Sequence, residues 1–365
     1  MSTFSVPVIH IDAIEAHPNA DAIEIAVVGE YRCVVQKGQF RAGDLVAYIP
    51  EQAVVPEWVL RDMGLWDEQK NKGRLNGRRG DRVKAVRLRG ELSQGLLYPV
   101  GYGRTPGAEP GDDLADLLGI TKYEPPVPVH LQGEVYNAGV GRTIAFDVES
   151  WKKYPNILAD GEPVVYTEKL HGTFCGLSIM PESHPDGFGE NGRITVFSKG
   201  LGAKGLAYKN NETNRNNLYV RATEVVRRHI ESGFRPPDAT ALFVLGEITG
   251  KGVQDLAYEG DIKFRAFAVV ERDGSGRTRF FDWQQEACLF CKLNGIETVP
   301  VLDRGDFSAE RLRELAGGTS TLGGCIREGV VVVPERERTC PEIGRVALKY
   351  VSAAYLTRKG GTEFN

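Results

Sequence analysis

Glu168-Lys169-Leu170-His171-Gly172-Thr173 is the stretch on which the reading of this 365-residue chain turns. Apolar, β-branched runs flank it at residues 163–167 and 174–180. The hexapeptide therefore reads as a tight connection between two strands, with a lysine at its entrance. A lysine nucleophile needs a neutral amine, yet an ordinary lysine, with a pKa of about 10.4, is almost wholly protonated at neutral pH. Burial or a neighbouring cation lowers that value. Gly172 keeps the turn slim enough for a bulky ligand to approach the backbone. Alone, the segment reads better as a surface lysine in a β-turn.

Three later segments change its meaning. Glu247 ends the apolar run Ala241-Leu242-Phe243-Val244-Leu245 and is followed by Thr249-Gly250-Lys251-Gly252. A carboxylate there suits a ribose hydroxyl or a metal-bound water. Glu328 precedes Gly329 and the run Val330-Val331-Val332-Val333, where a carboxylate against a buried strand is poised for a hard cation. Lys349 alternates with Leu348 and Tyr350, so it points away from them, towards water or towards a cleft that holds an anion. Together these supply a nucleophilic amine, a cation for phosphate and two carboxylates for a divalent metal, the set that attack on an α-phosphate requires. The chain has no Gly-x-x-x-x-Gly-Lys-Ser/Thr loop, which excludes a P-loop enzyme. Asp186-Gly187-Phe188-Gly189 lacks every other kinase element.

Around this constellation the chain divides into two domains. Residues 1–110 form a small β domain, with short strands at 6–11, 23–28, 31–35, 45–49 and 83–88. They are separated by turn signals such as Lys37-Gly38 and Arg41-Ala42-Gly43-Asp44. Its size fits an OB-type barrel, a fold that often binds nucleic acid. Within it, Arg74, Arg78, Arg79, Arg82, Lys84, Arg87 and Arg89 face a single acid, Asp81. This basic stretch is read either as a solvated loop and strand edge or as a phosphate-contacting surface. Residues 111–145 read as a Gly/Pro-rich linker, with one short helix at 112–118. Residues 146–365 form a mixed α+β domain built mainly on antiparallel sheet, with helices expected at 216–232, 282–295 and 308–316.

Composition sets outer limits. The net charge is −4, so any nucleic-acid contact must come from local patches rather than bulk charge. The six cysteines make no disulfide framework. Cys288-x-x-Cys291 lacks a second metal-spaced pair and falls in an expected helix, so packed thiols are the better reading. No secretory signal is apparent, and no stretch approaches the ~20 apolar residues that span a bilayer. A cytoplasmic protein is expected.

In their order and intervals, these segments resemble the covalent lysyl-nucleotidyltransferases, which are DNA ligases, RNA ligases and mRNA capping enzymes. From Lys169 it is 78 residues to Glu247, 81 more to Glu328 and 21 more to Lys349. Phe197-Ser198-Lys199-Gly200 is similar to a further motif of that superfamily. Phe264-Arg265-Ala266-Phe267-Ala268-Val269 is similar to the motif whose aromatic stacks on the purine. Within the superfamily the chain most resembles RNA ligases of the Deinococcus/Naegleria type, which place an OB domain before the nucleotidyltransferase domain. His17-Pro18-Asn19-Ala20-Asp21, Gly43-Asp44-Leu45-Val46-Ala47-Tyr48-Ile49-Pro50 and Arg89-Gly90-Glu91-Leu92-Ser93-Gln94-Gly95-Leu96 extend the likeness into the first domain.

The resemblance implies an ATP-dependent RNA ligase that uses Mg²⁺ or Mn²⁺. Lys169 carries the AMP, with Glu168 beside the adenine and Phe267 stacked on it. Lys199 contacts ribose or the incoming phosphate. Glu247 binds ribose hydroxyls or a metal's water, Glu328 helps hold the metal and Lys349 contacts the α-phosphate. His171 and Gly172 complete the nucleotide-binding turn. The partner is RNA ends, or a nicked duplex with an RNA 3′-hydroxyl strand, bound by a monomer. Two departures stand out. His171 replaces the aspartate usual in the family, which weakens its expected link to a metal's water shell. Ala347 replaces the first lysine of the last motif. The 16 residues after Lys349 leave no room for the trailing OB domain of capping enzymes and DNA ligases, which favours RNA ligase. The competing readings are one of those relatives, or a non-catalytic RNA-binding protein with a decayed ligase domain.

Overall fold

The computed structural model describes residues 4–101, 105–125, 131–233, 240–256 and 258–361. It separates into two compact units, with the division between Glu124 and Pro125.

In the first unit every strand pairing is antiparallel. One sheet joins Val8–His10, Leu45–Ile49 and Leu96–Pro99, and another joins Ala13–Ala16, Ile23–Val28 and Tyr31–Gln36. Leu45–Ile49 is buried on both faces. Ala47 and Ile49 pack in a cluster with Val59, Leu60 and Leu118, whereas Val46 and Tyr48 pack with Ile11, Val28 and Leu97. One strand thus lies between two apolar clusters, which suits its unbroken apolar run. The linker expected at 111–145 is not a free connector. Thr121–Lys122 pairs with Ala53–Val54, and the helix Ala115–Leu118 adds Leu118 to the first cluster. Residues 111–124 are therefore part of this unit. Leu131 and Val135–Asn137 belong to the second, where Val135–Asn137 pairs with Leu206–Tyr208.

The second unit contains two five-stranded sheets. The first runs in the order Glu149–Ser150, Leu348–Val351, Gly329–Pro334, Pro163–Lys169, Val301–Asp306. The second runs Ile194–Ser198, Thr173–Ile179, Ala241–Thr249, Lys263–Arg272, Thr278–Phe280. All pairings are antiparallel except that of Glu149–Ser150 with Leu348–Val351. The main core lies between the sheets, with Val165 and Val333 from the first meeting Leu177 and Val244 from the second. Residues 170–172 carry the chain from one sheet to the other, so the hexapeptide that opened the reading is the crossing point of the domain.

Two expected helices differ in detail. The one at 216–232 breaks into Leu218–Ala222 and Glu224–Gly233, because the Thr223 hydroxyl donates back to the Tyr219 and Val220 carbonyls. The one at 282–295 opens with a wide turn, Trp283–Ala287, before Cys288–Leu293. Its N-terminal partner is therefore Glu286, which accepts from the Asp282 amide at 2.9 Å, rather than Gln285. Cys291 is buried and Cys288 half-buried, both free.

Candidate active site

Register brings the separated motifs together. Lys169 ends its strand opposite Gly329, so Glu328 falls at the neighbouring strand's start, and the Lys169 ammonium lies 2.8 Å from Glu328 Oε1. Lys349 enters the same sheet opposite Val331. On the second sheet, Glu247 pairs in register with Phe174, and its Oε1 accepts from the Gly172 amide at 3.1 Å. Lys199 follows Ser198, which caps the short helix Lys199–Ala203, and its ammonium lies 3.1 Å from Asp147 Oδ1. Asp147 escaped the sequence reading. Its only signal was an acid set among the apolar residues Ala145, Phe146 and Val148.

These groups perturb one another in ways that matter for chemistry. Burial pulls the Lys169 amine down, but Glu328 and then Glu247 outweigh it, so the net shift is upward. The resting nucleophile is a protonated ammonium held by its carboxylates. Burial pushes Glu247 up to about 7, with the charge of Glu328 adding to the rise and Lys169 opposing it. Burial, with the positive charges of Lys169 and Lys199 adding to it and Asp147 opposing, lowers Lys349 to about 8.

Phe267 sits at an irregularity of its strand. Leu245 pairs with Ala268 and Gly246 with Ala266, which leaves Phe267 as the extra residue of a β-bulge. Phe264 and Ala266 before the bulge belong to the core between the sheets, whereas Ala268 and Val270 after it belong to the outer aromatic cluster. The even-numbered residues change face at Phe267. Its ring lies 5.2 Å from that of Phe146 and 6.0 Å from that of Phe174.

At four expected positions the structure shows a protein partner or packing role. Gly172 is required by the protein itself, since a Cβ there would lie 2.1 Å from the Ile248 carbonyl oxygen. His171 is not turned to a metal. Its Nε2 lies 2.7 Å from Asp255 Oδ1 and its Nδ1 2.9 Å from the Tyr355 hydroxyl, so both ring nitrogens are occupied. Burial holds its pKa below the ordinary value. The Glu168 carboxylate, on the opposite side of its strand from Lys169, is sealed in at 1% exposure. It accepts from the amide and hydroxyl of Thr321 at 2.9 and 2.6 Å, which keeps it from the adenine in this conformation. Ala347 is 2% exposed within the inter-sheet core beside Val333, so its small side chain answers to packing.

The basic stretch of the first unit also rearranges on folding. Gly73 and Gly80 approach so closely that a Cβ on either would meet the other's carbonyl oxygen within 2 Å. This folds the segment into a compact loop. Arg74, Arg78, Arg79, Arg87 and Arg89 are exposed and Lys84 is half-buried. Arg82 points inwards at 9% exposure, its guanidinium 3.7 Å from the Tyr123 ring centroid, so it is not available to a phosphate.

No three-residue cluster of His, Cys, Asp and Glu able to hold a metal occurs among the described residues. Glu247 and Glu328 nevertheless fit a divalent cation. They are two carboxylates acting on one ammonium, and the elevated pKa of Glu247 reflects in part the repulsion a cation would relieve. A metal taking its remaining ligands from phosphate and water needs only one or two protein carboxylates.

Comparison with known proteins agrees with this geometry. The RNA ligase family model matches residues 162–351, just over half of the chain, and an OB-fold domain model matches residues 5–100. No curated protein matches. Among solved structures, a lysine-to-alanine mutant of the Naegleria gruberi RNA ligase with ATP and Mn is 25% identical with a TM-score of 0.74, covering 96% of this chain and 97% of that one. The same ligase with PPi is 25% identical with a TM-score of 0.73, covering 97% and 98%. An apo aspartate-to-alanine mutant is 26% identical with a TM-score of 0.74, covering 98% of each. The fold and site are those of a covalent nucleotidyltransferase preceded by an OB-fold domain. Within that class, the chain belongs to the RNA ligase family.

Proposed function

We propose that this chain is an ATP-dependent RNA ligase that works through a covalent Lys169–AMP. The observation that carries the reading is the meeting of Lys169 with Glu328, Glu247 and Lys349, residues separated by up to 180 positions, around one amine. Lys169 Nζ bonds to the α-phosphorus of ATP as pyrophosphate leaves. An oxygen of an RNA 5′-phosphate then displaces the lysine, and finally a 3′-hydroxyl attacks that phosphate and releases AMP. All three are in-line displacements at phosphorus, so one set of cations serves them all.

Each residue has a derivable part. Glu247 and Glu328 would hold Mg²⁺ or Mn²⁺, which supplies positive charge to the phosphates and draws the carboxylates away from the nucleophile. Lys169 is then left beside the cationic Lys349, with its carboxylate partners engaged elsewhere, and it loses its proton more readily. Lys349 neutralises the α-phosphate. Lys199, released from Asp147, reaches the departing phosphates and supplies the second cation that Ala347 lacks. Phe267 forms one wall of the purine slot. Arg74, Arg78, Arg79, Arg87 and Arg89, with Lys84, grip the backbone of RNA ends or of a nicked duplex.

Among the described residues no helix is long and apolar enough to cross a membrane. We take the chain to be a cytoplasmic monomer. A decayed domain is disfavoured, because Ala347, the residue that suggested it, has a packing role.

The test mixes the protein with α-labelled ATP and a divalent metal, then denatures it. Label should remain on the wild type and vanish in Lys169→Ala. An unlabelled wild type, or label that survives the substitution, defeats the reading. Equal sealing of an all-DNA nick would defeat the RNA assignment alone.

A further inference from the structure

The turn after Lys169 is held far more heavily than a three-residue connection requires. Its backbone polar groups are taken by side chains. The His171 amide donates to the Tyr258 hydroxyl at 2.6 Å, the Gly172 amide to Glu247 at 3.1 Å, and Gln254 Nε2 donates to the Gly172 carbonyl at 2.7 Å. The His171 ring is gripped from two directions, by Asp255 and by Tyr355. Arg358 closes the group. It meets Asp255 through two nitrogens, at 2.8 and 3.1 Å, and its guanidinium lies 3.7 Å from the Tyr355 ring centroid.

Two further segments thus converge on the turn at 170–172, one bearing Gln254, Asp255 and Tyr258 and the other spanning residues 352–358. The last also touches the metal-side strand, since the Ser352 amide donates to the Glu328 carbonyl at 2.8 Å. Holding a half-buried arginine and aspartate against a buried imidazole is a poor route to stability, because desolvation offsets much of their attraction. Such a cluster is better explained by the geometry it enforces. A neutral imidazole is suited to the position. It donates through Nε2 to Asp255 while accepting through Nδ1 from Tyr355, whereas a carboxylate at 171 would repel Asp255.

We propose that Asp255, Tyr355 and Arg358 are positioning residues that act through His171, fixing the turn so that Lys169 Nζ lines up for in-line attack on the α-phosphorus. His171 thereby has a task different from the one implied by the aspartate usual at this place. The proposal rests on the ligase reading. It also predicts a selective defect, because only nucleotide transfer onto and off the enzyme uses the Lys169 amine as attacking or leaving group. Joining of an already adenylylated RNA 5′ end to a 3′-hydroxyl does not.

The experiment compares these two reactions in the full-length protein, using α-labelled ATP for lysine labelling and pre-adenylylated RNA for sealing. Asp255→Asn should slow labelling by about 10–100-fold, the scale of an ångström-sized misplacement, with sealing slowed by less than about threefold. Arg358→Lys keeps the charge but loses the planar fork, so its labelling defect should be smaller. Tyr355→Phe, which removes only the hydroxyl and keeps the ring under Arg358, guards against a folding artefact and should also slow labelling selectively. Equal losses in both reactions, or an early thermal melt with neither active, would show that the cluster holds the domain and would overturn the proposal. Unchanged labelling in all three variants would overturn it as well. An unlabelled wild type would instead bring down the ligase reading.

Discussion

The two regions rich in cations teach opposite lessons about sequence and space. In the second unit, Lys169, Lys199 and Lys349 are spread over 181 positions, and folding brings them near enough that burial, aided by the charges of the other two, takes Lys349 to about 8. In the first unit, seven cations lie within 16 positions, yet folding disperses them, with five exposed, one half-buried and one tucked under Tyr123. Closeness along the chain left these cations on a surface, whereas antiparallel pairing drew the distant lysines towards one amine. A converged cation should therefore matter far more than any one of the dispersed set.

The sharpest way to break this comparison is to remove one cation from each region. Lys349→Ala should slow lysine labelling by roughly 10²–10³-fold, the usual cost of losing one charge-stabilising donor. Arg79→Ala should leave labelling unchanged. A similar loss for both would erase the distinction. Next in size, Arg82→Ala should destabilise the first unit by about 1–2 kcal/mol in denaturant unfolding, through lost packing and the lost cation–π contact. Arg79→Ala should do nothing measurable there. The double variant Arg78→Ala/Arg79→Ala should weaken RNA binding by about tenfold and make its salt dependence shallower by roughly two ions. An unchanged salt slope would move the grip elsewhere.

The smallest effect carries a sign that can be worked out. The Glu247 carboxyl sits at about 7 in the folded protein against an ordinary 4.5. A group that binds its proton more tightly when folded contributes stability that is full below about 4.5 and is lost as pH rises through about 7. Above that pH the wild type carries a buried charge that Glu247→Gln lacks. The variant should therefore melt higher at pH 8, by roughly 2–4 °C, with the gap closing in acid. A lower melting temperature at pH 8 would mean that the ion pair with Lys169 outweighs the burial.

Much of this was legible in the linear sequence, and what escaped did so for physical reasons. The strands around Lys169, Glu247, Glu328 and Lys349 announced themselves because both their faces are apolar, and an isolated charge at the end of such a run is conspicuous. Glu168 showed itself only as a neighbour of Lys169, although alternation along a strand was enough to place the two on opposite sides. Arg82 looked like its six companions because burial of an arginine depends on Tyr123, 41 positions away. Asp255, Tyr355 and Arg358 were invisible, since a clasp made from three loops and a short helix has no periodicity. His171 carried the one available hint, a residue out of keeping with the resemblance, and its explanation lay in partners the sequence does not mark. The linker was misjudged because Gly/Pro-rich segments pair and pack when a neighbouring strand such as Ala53–Val54 has an open edge.

The bulge at Phe267 joins stacking and folding in a single count of residues. Because the strand changes face there, Phe264 and Ala266 serve one core, Ala268 and Val270 serve another, and the aromatic stands at the hinge between them. Removing that one residue would take away the ring and leave the sheet intact. Ala266 and Ala268 would become neighbours opposite Gly246 and Leu245, so both halves of the strand would keep their register and their faces. The bulge thus adds an aromatic between two halves that already fit, a side chain gained without cost to either core.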